Sequence, residues 1–108
     1  MKDDKAYVEH ILMCISKIYN YTKDINKDKF EREEMVQDAV IRNIEIIGEA
    51  TKKISDNLKS SYLKIPWKEM AGMRDKLIHD YMGVDIDVVW KTIEIDLPEL
   101  ENLLKSIR

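Results

Sequence analysis

The chain has 108 residues, enough for one domain with a single modest core, so residues 1–108 are predicted to form one helical domain. Hydrophobic residues make up 44% and charged residues 36%, with three glycines and two prolines, which favours long helices over a turn-rich β-sandwich. No apolar run is long enough to cross a membrane, and the charged start MKDDKAYVEH is unlike a signal peptide. We therefore expect a cytoplasmic protein without membrane association.

Charge is distributed unevenly along the chain, although the net charge is only −3. Residues 52–76 contain seven basic and three acidic side chains, a local balance of +4, whereas the segments on either side are net acidic. A net negative charge does not indicate nucleic-acid binding, because proteins that bind nucleic acids usually need cationic side chains to replace the counterions around phosphates. The basic third of the chain is therefore the informative part, and it contains Arg74.

The first predicted helix runs from about Asp4 to Ile25, because apolar residues recur there at steps of three and four, as on one face of a helix. Cys14, the only cysteine, falls in this apolar stretch and is predicted to be a buried thiol. His10 lies off the apolar face, so we expect its side chain to be solvated.

A second helix is predicted from about Asp28, which forms a capping-box-like pair with Glu31, to Ile54. Gly48 lies in its middle, where glycine costs about 1 kcal/mol relative to alanine. We therefore expect another backbone to approach closely at Gly48. Asn43 falls near the apolar face and is predicted to be an interior, hydrogen-bonded polar group.

A third helix is predicted to begin at Pro66, whose missing N–H is no loss in a first turn, and to stop at Gly83. Gly72 lies within it, at a point where the chain could bend or pack tightly. This predicted helix carries the most distinctive run of the sequence, RDKLIHDY, from Arg74 to Tyr81.

The fourth predicted helix begins at a cap supplied by Asp85 or Asp87 and carries one apolar stripe as far as Ile107. Pro98 removes the hydrogen bond to Glu94, but the stripe continues past it, so we expect a kink and not a break. Four helices with short connections predict an all-α fold, an up-and-down bundle of four main helices with a kinked last helix.

The run RDKLIHDY places a guanidinium, an imidazole and a phenol close together in sequence, in Arg74, His79 and Tyr81. On one straight helix Arg74 and Tyr81 share a face, whereas His79 is rotated from Arg74 by about 140°. One protomer therefore does not supply a compact triad, and it offers a single nearby imidazole to a reaction that needs both a base and an acid.

A two-fold homodimer would supply the missing groups, because an isologous interface brings two copies of each residue to one cleft. Ile41 and Ile46 fall outside the main apolar stripe of the second helix, and this second apolar face also favours self-association. One imidazole could then remove the proton of a ribose 2′-hydroxyl while the other protonates the departing 5′-oxygen. The arginines could hold the phosphate as its charge grows.

The run GMRDKLIHDYMGVD, with IPWKEM before it and RNIEIIGEAT in the second helix, resembles the HEPN superfamily, and within it the HepT-like toxins of HEPN–MNT toxin–antitoxin pairs. The resemblance covers nearly the whole chain. The family motif is an arginine, a polar residue, a histidine and, two residues later, a tyrosine, which are here Arg74, Asp75, His79 and Tyr81. The resemblance implies a metal-independent endoribonuclease that cleaves transfer or messenger RNA, with Arg74 and His79 catalytic.

The resemblance also implies a partner, a small MNT-type nucleotidyltransferase antitoxin that transfers AMP from ATP to Tyr81. The added phosphate and purine would compete with RNA phosphate for the cations near Arg74. Asp75 fills the polar position of the motif, and Lys76 would extend the cationic surface for RNA. Both are expected to support the site and not to carry the chemistry.

Plainer interpretations remain open for the same residues. Arg74 could be a surface arginine that pairs with Asp75 or Asp80, at little energetic gain. His79 could be a packed or capping histidine, and Tyr81 a half-buried aromatic with a solvated hydroxyl. The alternative function is a non-catalytic helical dimer that binds a nucleotide or a partner. No metal or other cofactor is predicted, because the sequence outlines neither a ligand set nor a glycine-rich phosphate loop.

Overall fold

The computed structural model describes residues 3–79 and 83–107, with the backbone alone at Ile78 and His79. The helices are α1 (Asp4–Thr22), α2 (Lys27–Arg32), α3 (Glu34–Lys53), α4 (Asp56–Ser61), α5 (Trp67–Ala71), α6 (Met73–Leu77), α7 (Ile86–Lys91) and α8 (Leu97–Lys105). A π-helical turn (Thr92–Asp96) joins α7 to α8, and β1 (Ile78–His79) pairs with β2 (Gly83–Val84). The all-α class is confirmed, and the four main helical segments are α1, α3, α5 with α6, and α7 with α8.

The helices α1 and α3 form the centre of the bundle, because each carries an apolar stripe that the other helps to cover. The helices α5 and α6 pack against α3, and α8 packs against α1. Cys14 lies in this core, as predicted, and burial raises the pKa of its thiol. His10 is exposed, which confirms the expectation of a solvated side chain.

The second predicted helix is divided into α2 and α3 at Glu33, and its N-terminal cap lies two residues before the predicted one. The side chain of Asn26 accepts a hydrogen bond from the Lys29 N–H at 2.9 Å, so Asn26, and not Asp28, caps α2. Phe30 of α2 is completely buried, and its ring centroid lies 5.1 Å from that of Trp90 on α7. The short helix thus joins the last helical segment to the core.

Asp4 at the start of α1 is hydrogen bonded to the turn between α3 and α4. Its carboxylate accepts a hydrogen bond from the Ser55 N–H at 2.9 Å and another from the Ser55 hydroxyl at 2.5 Å. The Ser55 hydroxyl oxygen in turn accepts from the Leu58 N–H at 3.2 Å and so caps α4. The hydrogen bonds from Ser55 lower the pKa of Asp4 to about 2.

The fourth helical segment runs through Pro98, as predicted, but with a local change of helix type. Asp85 is the cap, since its side chain accepts from the Val88 N–H at 3.3 Å. Beyond it the Leu97 N–H donates to the Thr92 carbonyl, five residues earlier, which defines the π turn. Because Pro98 has no N–H, the regular hydrogen bond pattern cannot continue here, and the π turn takes up the irregularity.

The prediction of one third helix from Pro66 to Gly83 is wrong in its second half. The helix does begin next to Pro66, but it is divided into α5 and α6 at Gly72. The Gly72 carbonyl then accepts hydrogen bonds from the Asp75 and Lys76 N–H groups, at 3.0 and 3.3 Å, and these form the first turn of α6. The helix ends at Leu77, so Arg74 and His79 do not share one helix.

A short antiparallel pairing replaces the expected end of the helix. Ile78 pairs with Val84 and His79 with Gly83, so the predicted helix stop at Gly83 is a strand residue instead. Gly83 has a φ of +156°, a conformation that glycine adopts readily and other residues rarely do. The Leu77 carbonyl accepts a hydrogen bond from the Asp85 N–H at 2.9 Å, which closes the pairing at its base.

Within the parts of the chain that the structure describes, no helix is both long enough and apolar enough to span a bilayer.

Candidate active site

Arg74 on α6 contacts Glu45, which lies in the middle of α3. Its Nε donates a hydrogen bond to Glu45 Oε2 at 2.6 Å, a short, charge-assisted contact. The Arg74 side chain is 52% exposed and that of Glu45 is 26% exposed, so the pair lies at the rim of the bundle. The guanidinium is therefore held at one edge and is still accessible to an anion from solvent.

Gly48 brings α5 and α6 close enough to α3 for this contact. A Cβ at position 48 would lie 3.1 Å from the Ala71 carbonyl oxygen and 3.5 Å from that of Met70. The close approach that the sequence predicted at Gly48 is confirmed, and the partner backbone is the end of α5. Because Ala71 is only three residues before Arg74, this close approach also keeps the backbone of Arg74 near α3.

The side chains around Arg74 line an open groove between α3 and the α5–α6 turn, here called the Arg74 groove, with a volume of about 280 Å³. Its lining residues are Arg42, Glu45, Gly48, Glu49, Lys52, Ala71, Arg74 and Asp75. Three of these side chains are cationic and three are carboxylates, so the groove is charged but balanced. An anion would have to be attracted by particular side chains and not by an overall positive field.

Arg42 shares Glu45 with Arg74. Arg42 lies one turn before Glu45 on α3, and its Nη1 is 3.6 Å from Glu45 Oε1. Arg74 contacts the other carboxylate oxygen. Glu45 therefore has one guanidinium on each oxygen, and both guanidinium groups line the same groove.

The two supporting residues predicted from the sequence lie on different sides of α6. Asp75 lies beside Arg74 in the groove, with its Oδ1 at 3.8 Å from Arg74 Nη1. Lys76 lies away from this groove, with its Nζ 3.9 Å from Asp96 Oδ2 in the π turn. Lys76 lines a separate pocket of about 190 Å³, together with Met70 and Met73. The structure thus brings Asp75, and not Lys76, to Arg74.

The other two motif residues are placed only in part. The backbone of His79 is in β1, two residues after the end of α6, and pairs with Gly83. The side chain of His79 and the whole of Tyr81 lie outside the described residues. The predicted shared helix face of Arg74 and Tyr81 is lost, because α6 ends at Leu77.

Sequence reasoning missed Glu45 and Arg42 as residues of the site. A signal was present, since charged residues recur beside Gly48 at helical spacing, at Arg42, Glu45, Glu49 and Lys52. The pairing itself was hidden, because Glu45 and Arg74 are 29 residues apart. Asn43 was assigned correctly: it is buried, and its Nδ2 donates to the Ala39 carbonyl at 2.9 Å.

Among the side chains that the structure describes, no group of three or more histidine, cysteine, aspartate or glutamate residues is arranged to hold a metal ion. The site described so far therefore consists of guanidinium, ammonium and carboxylate groups around the Arg74 groove.

Comparison with known proteins identifies the family. Residues 11–107 match the HepT-like family, described as Ribonuclease HepT-like, so the chain belongs to this ribonuclease family of the HEPN superfamily. The chain is 45% identical over 107 residues to the probable ribonuclease HepT of Thermococcus cleftensis. These residues cover 99% of this chain and 97% of that protein. The resemblance inferred from the motif is confirmed.

Two further relatives are named as candidate RNases. One, from Methanocaldococcus jannaschii, is 44% identical over 106 residues, which cover 98% of this chain and 91% of the relative. The other, from Caldanaerobacter subterraneus subsp. tengcongensis, is 42% identical over 107 residues, which cover 99% of this chain and 96% of the relative. No match was found among solved structures.

Proposed function

We propose that the chain is a metal-independent endoribonuclease that acts in the cytoplasm as the toxin of a HEPN–MNT toxin–antitoxin pair. Membership of the HepT-like family over residues 11–107, with relatives named as ribonucleases, supports RNA as the substrate. The structural observation that carries the proposal is the Arg74 guanidinium, which Glu45 holds at the rim of an open groove. Transfer RNA and messenger RNA are the candidate substrates.

Arg74 and His79 are the proposed catalytic residues. A neutral His79 imidazole takes the proton of a ribose 2′-hydroxyl, and the 2′-oxygen attacks the adjacent phosphorus. The bond from phosphorus to the 5′-oxygen breaks, and a protonated imidazole gives its proton to that oxygen. The products are a 2′,3′-cyclic phosphate and a free 5′-hydroxyl. Arg74 stabilises the charge that grows on the phosphate oxygens.

A two-fold homodimer would provide the two imidazoles that this reaction uses. Each protomer has one histidine near Arg74 in sequence, and the second histidine, His10, lies on α1 in the exposed part of the surface. A symmetric interface that brings two β1 segments together would place one His79 as the base and the other as the acid. The exposed position of the Arg74 groove is compatible with such a shared cleft.

Regulation is proposed to act on the same site. The partner, an MNT-type nucleotidyltransferase, would transfer AMP from ATP to the Tyr81 hydroxyl, with release of pyrophosphate. Tyr81 is two residues after His79 and seven after Arg74. A phosphate attached there would compete with RNA for the arginine, and the purine would occupy space that RNA needs.

Cleavage of RNA by the purified protein in EDTA tests the catalytic part. We expect the wild type to cleave and Arg74→Ala and His79→Ala to lose at least a hundredfold in rate, as expected for a missing electrostatic or acid–base group. Arg32→Ala, which removes an exposed arginine of α2, should keep full activity. Full activity in both site variants would contradict the assignment. Nucleotide binding without any cleavage would favour the non-catalytic alternative.

Co-expression with a neighbouring nucleotidyltransferase reading frame tests the regulatory part. Intact-mass measurement should show a gain of one or more AMP units on the wild type and none on Tyr81→Phe, which keeps the ring but lacks the acceptor oxygen. A gain of equal size on Tyr81→Phe would place the modification elsewhere.

A further inference from the structure

Two arginines approach one carboxylate at the entrance of the Arg74 groove. Arg74 Nε lies 2.6 Å from one oxygen of Glu45, and Arg42 Nη1 lies 3.6 Å from the other. Both guanidinium groups therefore lie beside one carboxylate, and both line the same groove. A guanidinium has five N–H donors, so each arginine keeps donors for a phosphate while it contacts Glu45.

We propose that Arg42 is a second phosphate-binding residue of this site, which holds the RNA backbone next to the phosphate on Arg74. The inference rests on the proposed ribonuclease function and adds to it a residue outside the Arg-x4-His-x-Tyr run. Arg42 lies on α3 and is brought to the groove only by the fold.

The chemistry of the pair fits a phosphodiester. A phosphate presents two unesterified oxygens that share one negative charge, much as a carboxylate does, and the planar guanidinium fork matches this geometry. Glu45 contacts one nitrogen of each guanidinium and keeps both cations at the groove, where neighbouring backbone phosphates can reach their remaining N–H groups. The contact of Arg42 to Glu45 is the longer of the two, so Arg42 is the easier one to transfer to an incoming anion.

The charge balance of the groove makes this second cation necessary. The carboxylates of Glu45, Glu49 and Asp75 offset the three cations that line the groove, so RNA is not attracted by a general positive field. Arg74 alone would bind phosphate against the repulsion of Glu45. With Arg42 beside the same carboxylate, the two guanidinium groups offset the Glu45 and Asp75 carboxylates that they contact, so the local balance is even and not negative.

Other cations near the site are less well placed for this role. Lys76 pairs with Asp96 on the opposite side of α6 and lines a different hollow. Lys52 lines the groove near the end of α3, but an ammonium group binds phosphate as a point charge and without a fork. Arg42 is 65% exposed, so it reaches a polynucleotide without any change in the core.

Binding of a fluorescent single-stranded RNA to catalytically silent His79→Ala protein tests the inference. We expect Arg42→Ala in this background to weaken binding about fivefold to tenfold. The slope of log affinity against log salt should fall by about 0.7, the value for one lost phosphate contact on a single strand. Arg42→Lys, which keeps the charge, should recover most of the salt slope but only part of the affinity. Arg32→Ala is the matched control and should change neither quantity.

Steady-state cleavage by the same variants with His79 intact separates binding from chemistry. Arg42→Ala should raise KM about as much as it weakens RNA binding, with kcat within about twofold of the wild type. Circular dichroism should show the same helix content and thermal midpoint as Arg32→Ala, because both side chains are exposed.

The two proposals fail in different ways. Wild-type protein that binds RNA but does not cleave it would contradict the catalytic function and leave the Arg42 binding test decisive on its own. Wild-type protein that cleaves RNA, while Arg42→Ala keeps the wild-type affinity, salt slope and KM, would overturn the role of Arg42 alone. Absence of RNA binding by the wild type would overturn both.

Discussion

Glu45 holds the Arg74 guanidinium through a 2.6 Å hydrogen bond to Nε, across 29 residues of sequence. The contact joins the long central helix α3 to the short helix α6, which is the last regular helix before β1. It therefore links the orientation of the proposed catalytic arginine to the central helix of the bundle, while a carboxylate remains beside the place where a substrate phosphate would bind.

Replacement of Glu45 by glutamine should lower both kcat and KM, for two different reasons. We expect kcat to fall on the order of tenfold, because Arg74 loses its charged partner and its fixed position. KM for RNA should also fall, because a repulsive charge leaves the groove. Glu49→Gln is the matched control in the same groove and should lower KM with little change in kcat. Equal kcat values for the two variants would contradict the positioning role of Glu45.

Replacement of Gly48 by alanine should destabilise the protein despite a better helix propensity. The gain of about 1 kcal/mol from propensity is opposed by about 1–3 kcal/mol of overpacking, since the new Cβ would lie 3.1 Å from the Ala71 carbonyl. Urea unfolding should show a net loss on the order of 1 kcal/mol. Gly72→Ala is the control, because its Cβ would meet only the Lys68 carbonyl at 3.6 Å. A stabilised Gly48→Ala would show that the helices separate easily.

The hydrogen bonds from Ser55 to Asp4 predict a pH-dependent part of the stability. Because the pKa of Asp4 is lowered from 3.8 to about 2, its contribution is fully present above about pH 4 and is lost as the pH falls through 2. Asp4→Asn should therefore be less stable than the wild type near neutral pH, and the difference should shrink below pH 4. Asp38→Asn, an exposed carboxylate on α3, is the control and should follow the wild type at every pH.

Phe30 should be the most costly single truncation in the short helix α2. Its ring is completely buried and lies 5.1 Å from the Trp90 ring, at an interplanar angle of 40°, so Phe30→Ala is expected to lose about 3–5 kcal/mol of unfolding free energy. Phe30→Leu should lose clearly less, because it refills most of the cavity. Chemical unfolding followed by circular dichroism measures both. Similar losses for the two variants would indicate that the ring contact, and not the volume, matters most.

Much of the fold could be predicted from local patterns. The apolar spacing of α1 and the close backbone approach at Gly48 follow from the sequence near the residue concerned, and the structure confirms them. The sequence left the cap of the last segment open between Asp85 and Asp87, and the structure decides for Asp85. The third helix was predicted too long because its end does not depend on local propensity. The run after Leu77 leaves the helix to pair with Gly83 and Val84, and a pairing partner further along the chain is invisible to helical periodicity.

In the candidate site, too, the sequence predicted what depends on neighbouring residues and missed what depends on tertiary contacts. The sequence drew attention to Arg74 and Asp75, which do lie together in the groove, because the motif places them side by side. It assigned no role to Arg42 or Glu45, because a charged side chain on an exposed helix face has no local feature that reveals its tertiary partner. It also grouped Lys76 with Arg74, although two residues along a helix point to different faces.

The π turn from Thr92 to Asp96 gives the last helical segment one place where its length can change. Each residue added to or removed from a regular α-helix turns everything beyond it by about 100°. A π turn is closed by a hydrogen bond that spans one residue more than in an α-helix, so loss of one residue here would restore the regular spacing and keep the apolar side of α8, including Leu100 and Leu104, toward α1. A single-residue deletion should therefore be accepted more readily within this turn than within α8 itself.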